Sequence, residues 1–409
     1  MKYILGFLLI LSVHFSSLGQ ISKMAPTPPM GWSNWNYFGK EAINEKMIKE
    51  CIDSIVSSGL KDAGYGFVIL DGGWRDTKLG PNGELLAHPV RFPGGIKAMA
   101  DYAHSKGLKF GLHTVPGTHD CGGDPVGGWG HEEVQFQQFV DWGVDIIKLD
   151  KCRFSFDKNP SYSRNDPRWR AGWDPKLNNL EKAFTKWNSL INNSGKKILF
   201  MAYAYQFVDW YPRLANTGRT TGDIKSKQSG GAIFDTPSVR SIMSIATKNN
   251  KSSKFAHPGY WNDADMLVTG NQGLTNEEQK AHFALWCIMS SQLTLGNDPR
   301  IMTDEEKKII LNKQAIAINQ DPTEQGKRIK VDGKGEVWAK KLKNGNYAVL
   351  LLNRDSAAVK EVKLNWTDLG LSGKQSITDI YARQKLGKFD NSFSKSLQPH
   401  SSIFLEVSK

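Results

Sequence analysis

The chain has 409 residues, 39% hydrophobic and 23% charged, which excludes a disordered protein and leaves room for a barrel-sized domain plus a smaller module. The formal net charge is +12, but the lysines are scattered with no basic stripe interleaved with aromatics, so nucleic acid is excluded as a partner. Thirteen Trp and 39 Gly suit loops that stack flat apolar faces such as those of sugars, and suit plain packing as well.

The N-terminus reads as an export signal over residues 1–19. Lys2 is followed by an apolar run over 3–13, and small Ser16, Ser17 and Gly19 precede Gln20, which places cleavage near Gly19. That run is too short to span a bilayer, no later segment is long enough, and no Cys follows to carry a lipid. The expectation is an exported protein, periplasmic or extracellular, with no membrane span.

From Thr27 to about Gln320, short apolar runs alternate with helix-like stretches. Strands are predicted at 30–35, 67–71, 109–113, 145–150, 197–203, 220–223, 260–267 and 293–296. Between them lie helical patterns at 45–58, 95–106, 132–142, 177–192 and 276–290. Strands alternating with helices make a parallel sheet, and eight such units predict a (β/α)8 TIM barrel over 24–321. One long loop, 153–176, is rich in Arg, Tyr and Trp and follows the fourth strand, where it would overhang the barrel mouth. After Asp321-Pro322 the texture changes to short alternating strands at 336–342, 347–353, 359–363 and 403–407, with a turn at Asn344-Gly345. This predicts a C-terminal antiparallel β-sandwich over 322–409.

The fourth strand carries the chemistry most plainly. Its apolar run breaks into Lys148, Asp150 and Cys152, and barrel enzymes place their reacting groups at such strand ends. Lys148 and Asp150 are two apart and so share one side of a strand, where the cation keeps the carboxylate ionised. A fixed, ionised carboxylate suits a nucleophile or base; an Asp capping the next helix is the plainer alternative. Arg219-Thr220-Thr221-Gly222-Asp223 offers a second carboxylate. Read as a strand end, it makes the two-carboxylate arrangement of a glycosidase; read as a helix, it is a surface ion pair. Trp35, Asp71 and the 261–267 segment also sit at strand ends. Asp263 and Asp265 read as structural, tying down a loop, and Trp35 as a sugar-stacking face. His113 ends the third strand as either a base or a hydrogen-bonding wall.

Cys121 and Cys152 both fall just after predicted strands and are the expected disulfide pair, while Cys51 and Cys287 lie in apolar helical patterns and read as buried thiols. No cysteine or histidine spacing suits a metal, the glycine run 122–130 is not followed by Gly-Lys-Ser/Thr, and no Gly-x-Ser-x-Gly elbow is present. No metal or cofactor is implied.

Taken in order, the segments resemble glycoside hydrolase family 27, the α-galactosidase and α-N-acetylgalactosaminidase family. The matching motifs are Thr-Pro-Pro-Met-Gly-Trp ending at Trp32, Leu70-Asp71-x-x-Trp74, Arg91-Phe92-Pro93-x-Gly95-Ile96 and His104-Ser105-Lys106-Gly107-Leu108-Lys109. They continue with Asp141-Trp142-Gly143-Val144-Asp145, Lys148-x-Asp150-x-Cys152 and Trp261-Asn262-Asp263-x-Asp265-Met266-Leu267. The resemblance implies Asp150 as nucleophile, Asp223 as general acid/base and net retention, on an oligo- or polysaccharide substrate. It implies further that Arg219 binds near the sugar's 2-position, Asp71 and Lys148 bind hydroxyls farther round the ring, Trp35 stacks on it, and Cys121–Cys152 braces the mouth.

Three departures concern sugar recognition. Galactosidases of this family typically carry two adjacent Asp after the second strand, gripping the 4- and 6-hydroxyls; here the second is Gly72. The usual Tyr at the third strand's end is His113, and the segment after strand five reads Met201-Ala202-Tyr203-Ala204-Tyr205, with Tyr203 taken as a substrate contact. A charge-assisted hydrogen bond is worth about 1.5–3 kcal/mol, so one lost contact shifts sugar preference by roughly ten- to a hundredfold. The reading is therefore an α-galactosidase-like enzyme. Its alternatives are an isomaltodextranase-like α-glucan hydrolase, a β-L-arabinopyranosidase, and a carbohydrate-binding protein without turnover.

Overall fold

The computed structural model describes residues 24–152 and 177–409. The export signal expected over 1–19 and the long loop expected over 153–176 lie outside them.

The N-terminal strands are β1 (Met30–Ser33), β2 (Phe67–Leu70), β3 (Arg75–Leu79), β4 (Leu85–Ala87), β5 (Lys109–Thr114), β6 (Ile146–Asp150), β7 (Leu199–Tyr203), β8 (Thr217–Arg219), β9 (Trp261–Asp263) and β10 (Leu293–Leu295). Eight of them form a parallel sheet in the order β10-β1-β2-β5-β6-β7-β8-β9, and β3 and β4 pair as a separate hairpin. Past β9, Leu267 bridges to Leu295 of β10, its N–H donating to the Thr294 carbonyl at 2.8 Å while Gly296 N–H donates back at 3.0 Å. That bridge closes the sheet into the predicted barrel.

Alternation along the strands explains both the packing and the site. Val68 and Leu70 of β2, Ile147 and Leu149 of β6, and Phe200 and Ala202 of β7 pack outward with the helices. Their neighbours Phe67, Ile69, Ile146, Leu199, Met201, Tyr203 and Trp261 form a separate interior cluster. Strands buried on both faces must be apolar throughout, which is why these runs are legible in sequence. Interior glycines make room for the larger rings: a Cβ on Gly31 would lie 2.2 Å from the Phe67 ring.

The sixth strand differs from expectation. It is Thr217–Arg219, not 220–223, so Arg219 ends the strand and Thr220–Asp223 belongs to the loop after it. Its middle residue is Gly218, where a Cβ would meet the Tyr211 ring at 2.4 Å and the Tyr260 hydroxyl at 2.5 Å. Aromatic rings from neighbouring elements supply the apolar cover, so the strand itself shows no hydrophobic run.

The C-terminal strands are β11 (Lys327–Asp332), β12 (Gly335–Lys341), β13 (Tyr347–Asn353), β14 (Lys360–Asn365), β15 (Lys374–Asp379), β16 (Gln384–Asp390), β17 (Ser392–Leu397) and β18 (Ser402–Ser408). They form an antiparallel sheet ordered β11-β12-β13-β18-β15-β16 and a two-stranded sheet β14-β17. Val337, Val349, Leu351, Leu405 and Val407 face Val362, Leu364 and Phe393 within the sandwich. The alternate residues Trp338, Ala348, Leu350, Leu352 and Phe404 instead join the barrel's outer core. The helix Asn276–Ile288 is consequently covered on both sides, with Phe283, Ala284, Leu285, Trp286 and Cys287 all fully buried. Arg354 adds a polar clasp, donating to Asp235 at 2.8 and 2.9 Å and to buried Glu336 at 2.8 Å. Among the described residues no helix is long and apolar enough to cross a membrane.

Candidate active site

The interior positions turn from apolar to charged as the strands reach their C-terminal ends. On β6, Ile146 is followed at the same side by Lys148 and Asp150; on β2, Phe67 and Ile69 are followed by Asp71. His113 and Arg219 occupy the corresponding ends of β5 and β8. These residues meet in a cavity of about 370 Å³, which Trp35, Cys121, Cys152, Tyr205, Asp223 and Asp265 also line.

Lys148 Nζ donates to Asp71 Oδ2, and both side chains are buried. Burial opposes the Asp71 charge, yet Lys148 and His113 hold its carboxyl down at about 2. Burial likewise opposes the Lys148 charge, and Asp71 and Asp150 more than restore it. Asp71 is further fixed by its own N–H donating to Asn34 Oδ1 at 2.8 Å and by Gly72 N–H donating to Asp71 Oδ1 at 2.7 Å.

Asp150 is only 5% exposed. Its Oδ1 accepts from the Tyr205 hydroxyl at 2.5 Å and from Cys152 N–H at 3.0 Å. Burial pushes the Asp150 carboxyl up to about 6, opposed by Lys148 and by the Tyr205 hydrogen bond. Cys152 is joined to Cys121 by the expected disulfide, with the Cα atoms 4.8 Å apart, and Cys51 and Cys287 are buried free thiols. His113 Nδ1 faces Arg75 Nη2 at 3.2 Å; a guanidinium only donates, so the ring proton lies on Nε2, 3.9 Å from Asp150 Oδ2. Burial drives the His113 pKa down to about 3, keeping it neutral. Ligand atoms of His113, Cys121, Asp150 and Cys152 lie within 4.8 Å of one another, but both sulfurs are spent in the disulfide, so the group lacks the thiolates a metal would need.

Arg219 Nη2 bridges Asp223 Oδ1 and Asp265 Oδ2, each at 2.7 Å. Burial works against its charge, and Asp265 and Asp223 overcome that and raise its pKa. Asp223 is exposed at the rim, in contrast to Asp150. The i,i+4 ion pair between Arg219 and Asp223 therefore exists, but it spans a strand end and a loop rather than a helix face.

Asp265 was expected to tie down a loop, and it does so by accepting from Ile224 N–H and Met266 N–H at 2.7 Å each, while also lining the cavity. Asp263 stays beneath, accepting from Asp265 N–H at 2.7 Å and Gln292 Nε2 at 2.9 Å.

The Tyr203 expectation needs correcting. Its side chain does not line the cavity. Its hydroxyl accepts from Gln292 Nε2 at 3.0 Å, and its ring lies 4.7 Å from Lys148 Nζ and 5.3 Å from the Arg219 guanidinium carbon. Tyr203 is the floor under the two cations, and Tyr205 is the tyrosine at the nucleophile candidate. The chain leaves β7 after Tyr203, and Tyr205 adopts a left-handed φ of 61° that returns its ring over the mouth. A left-handed tyrosine carries no sequence signature, so only the Tyr-x-Tyr spacing hinted at it. Trp35 lines the cavity from the short helix Trp35–Phe38, and its ring edge sits where a Cβ on Gly72 would be 2.9 Å away.

The comparisons with known proteins point the same way. The family description "alpha galactosidase A" matches residues 27–166 and 168–321, and "alpha galactosidase C-terminal beta sandwich domain" matches 332–407. An α-galactosidase from Cyamopsis tetragonoloba is 36% identical over 364 residues, covering 88% of this chain and 80% of its own. Alpha-galactosidase 2 from Arabidopsis thaliana is 34% identical over 384 residues, covering 92% of this chain and 88% of its own. The crystal structure of alpha-galactosidase I from Mortierella vinacea superposes with a TM-score of 0.83 at 30% identity, over 94% of this chain and 98% of that one. The chain belongs to glycoside hydrolase family 27, the α-galactosidase family, and is a glycoside hydrolase.

Proposed function

We propose that the protein is an exported, retaining α-galactosidase that releases terminal α-D-galactosyl residues from oligo- or polysaccharides, with the catalytic barrel over 24–321 and the sandwich over 322–409. The observation that carries this is the contrast between its two carboxylates in one cavity, Asp150 buried and held at one oxygen, Asp223 exposed at the rim. In a double displacement the buried group attacks the anomeric carbon while the rim group protonates the leaving oxygen. The rim group then takes a proton from water in the second step. Exposure suits Asp223 to that exchange, and burial beside Lys148 suits Asp150 to a covalent bond.

Around the sugar, Arg219 serves the 2-hydroxyl, the Asp71–Lys148 pair serves hydroxyls farther round the ring, His113 offers an N–H, and Trp35 offers a stacking face. No cofactor enters these steps. The Cys121–Cys152 disulfide at the mouth accords with an oxidising compartment and hence with export.

A second reading, altered sugar choice, is favoured by Gly72. Gly72 supplies no second carboxylate after Asp71, and a Cβ there would meet the Trp35 ring edge at 2.9 Å. A panel of nitrophenyl α-galactoside, α-glucoside and β-L-arabinopyranoside separates the two. Highest kcat/KM on α-galactoside supports the first reading, and preference for another member supports the second. Sugar binding with no hydrolysis of any member overturns both in favour of a binding protein.

A further inference from the structure

The two oxygens of Asp150 are not equivalent. Among the described residues, the hydrogen-bond donors to Asp150, the Tyr205 hydroxyl and Cys152 N–H, converge on Oδ1, whereas Oδ2 is approached by the His113 Nε2 edge at 3.9 Å. Each donor is delivered by a non-glycine residue with left-handed backbone, Tyr205 at φ 61° and Cys152 at φ 37°. Such backbone persists only where its surroundings over-determine it. Here those surroundings include the disulfide, since the Tyr205 hydroxyl lies 3.9 Å from Cys121 Sγ.

We propose that Tyr205 is a positioning residue that reserves Asp150 Oδ2 for attack and speeds the departure of the Asp150 carboxylate in the second half-reaction. This deepens the retaining reading above and rests on it. In the first step Oδ2 bonds to the anomeric carbon, and the bond to the aglycone oxygen breaks with its electron pair on that oxygen, which takes the Asp223 proton. Oδ1 is now the carbonyl oxygen of an ester, a weaker acceptor than a carboxylate. In the second step water attacks the anomeric carbon and gives its proton to Asp223. The carbon–Oδ2 bond breaks, its electron pair returns to the carboxylate, and negative charge grows on Oδ1, where Tyr205 already donates. The tyrosine therefore holds back attack somewhat and assists departure. Its loss falls on the second step.

The test compares wild type, Tyr205→Phe, Tyr205→Leu and Asp150→Ala on activated nitrophenyl α-galactosides, each at the pH where its kcat/KM is highest. Both Tyr205 variants are expected to lose about ten- to a hundredfold in kcat, the weight of one charge-assisted hydrogen bond. KM should fall with kcat, so that kcat/KM drops far less. A burst of nitrophenolate should appear, and intact mass should show a hexosyl adduct mapping to the peptide that holds Asp150. Equal losses in kcat and kcat/KM without a burst, or unchanged kinetics in Tyr205→Phe, overturn the assignment while leaving the two-step reading in place. Turnover retained by Asp150→Ala overturns both.

Discussion

At Asp150 two effects oppose each other: burial pushes the carboxyl up to about 6, while Lys148 and the Tyr205 hydroxyl favour the charged form. The Asp223 carboxylate adds a like charge that raises Asp150 a little further. A nucleophile must be ionised in the free enzyme, so kcat/KM is expected to fall about tenfold per unit as pH drops below about 6. A pH–rate profile checks this, and a kcat/KM that stays flat well below that value contradicts it. Asp71, Lys148 and Asp150 were legible in sequence because they interrupt interior positions of otherwise apolar strands at a spacing of two. Tyr205 was not, because its place depends on a left-handed turn that no propensity marks for tyrosine. Arg75 was hidden for a similar reason: it looks like an ordinary polar residue, yet it is buried behind His113 and sets its tautomer.

Among the elements, β2, β5 and β6 could be read to within a residue or two, since burial on both faces demands a continuous apolar run. In β8 the apolar cover comes from Tyr211 and Tyr260 closing on Gly218, so the strand was placed too late in the chain. Tyr211 cannot retreat easily. Its hydroxyl accepts from Ala204 N–H at 2.6 Å and donates to the Arg219 carbonyl at 3.2 Å, joining the ends of β7 and β8. Gly218→Ala is therefore expected to destabilise the fold by about 1–3 kcal/mol through overpacking. It should also lower activity, because Arg219 is the next residue. Urea denaturation measures the first effect, and an unchanged midpoint contradicts the packing argument. The sandwich strands β11, β15, β16 and β17 escaped prediction because they are rich in polar residues, even at the buried Gln375 of β15, so an apolar alternation is weak in them.

In the molecule as a whole the two domains are joined by one continuous core. Strands β12, β13 and β18 bury side chains on both faces because one face packs in the sandwich and the other on the barrel. At this joint Lys340 is fully buried, and among the described residues no carboxylate is bonded to it. Its Nζ donates to Ser290 Oγ at 2.8 Å and to the carbonyls of Ile318 at 2.6 Å and Asp321 at 2.8 Å. Burial lowers its pKa from 10.5 to about 8. The folded state thus binds fewer protons than the unfolded chain between these values, and stability should rise with pH across that window. Relative to Lys340→Met, the wild type is expected to gain up to about 3 kcal/mol from pH 8 to 10.5. Chemical denaturation of both proteins at several pH values checks this, and parallel curves contradict it.

The central claim is the double displacement through Asp150, and the anomeric configuration of the first product tests it most directly. Proton NMR of wild-type hydrolysis of nitrophenyl α-galactoside, followed from the earliest times, should show α-galactose forming first and β-galactose appearing only by mutarotation. β-Galactose as the first product would mean a single inverting displacement and would contradict the account.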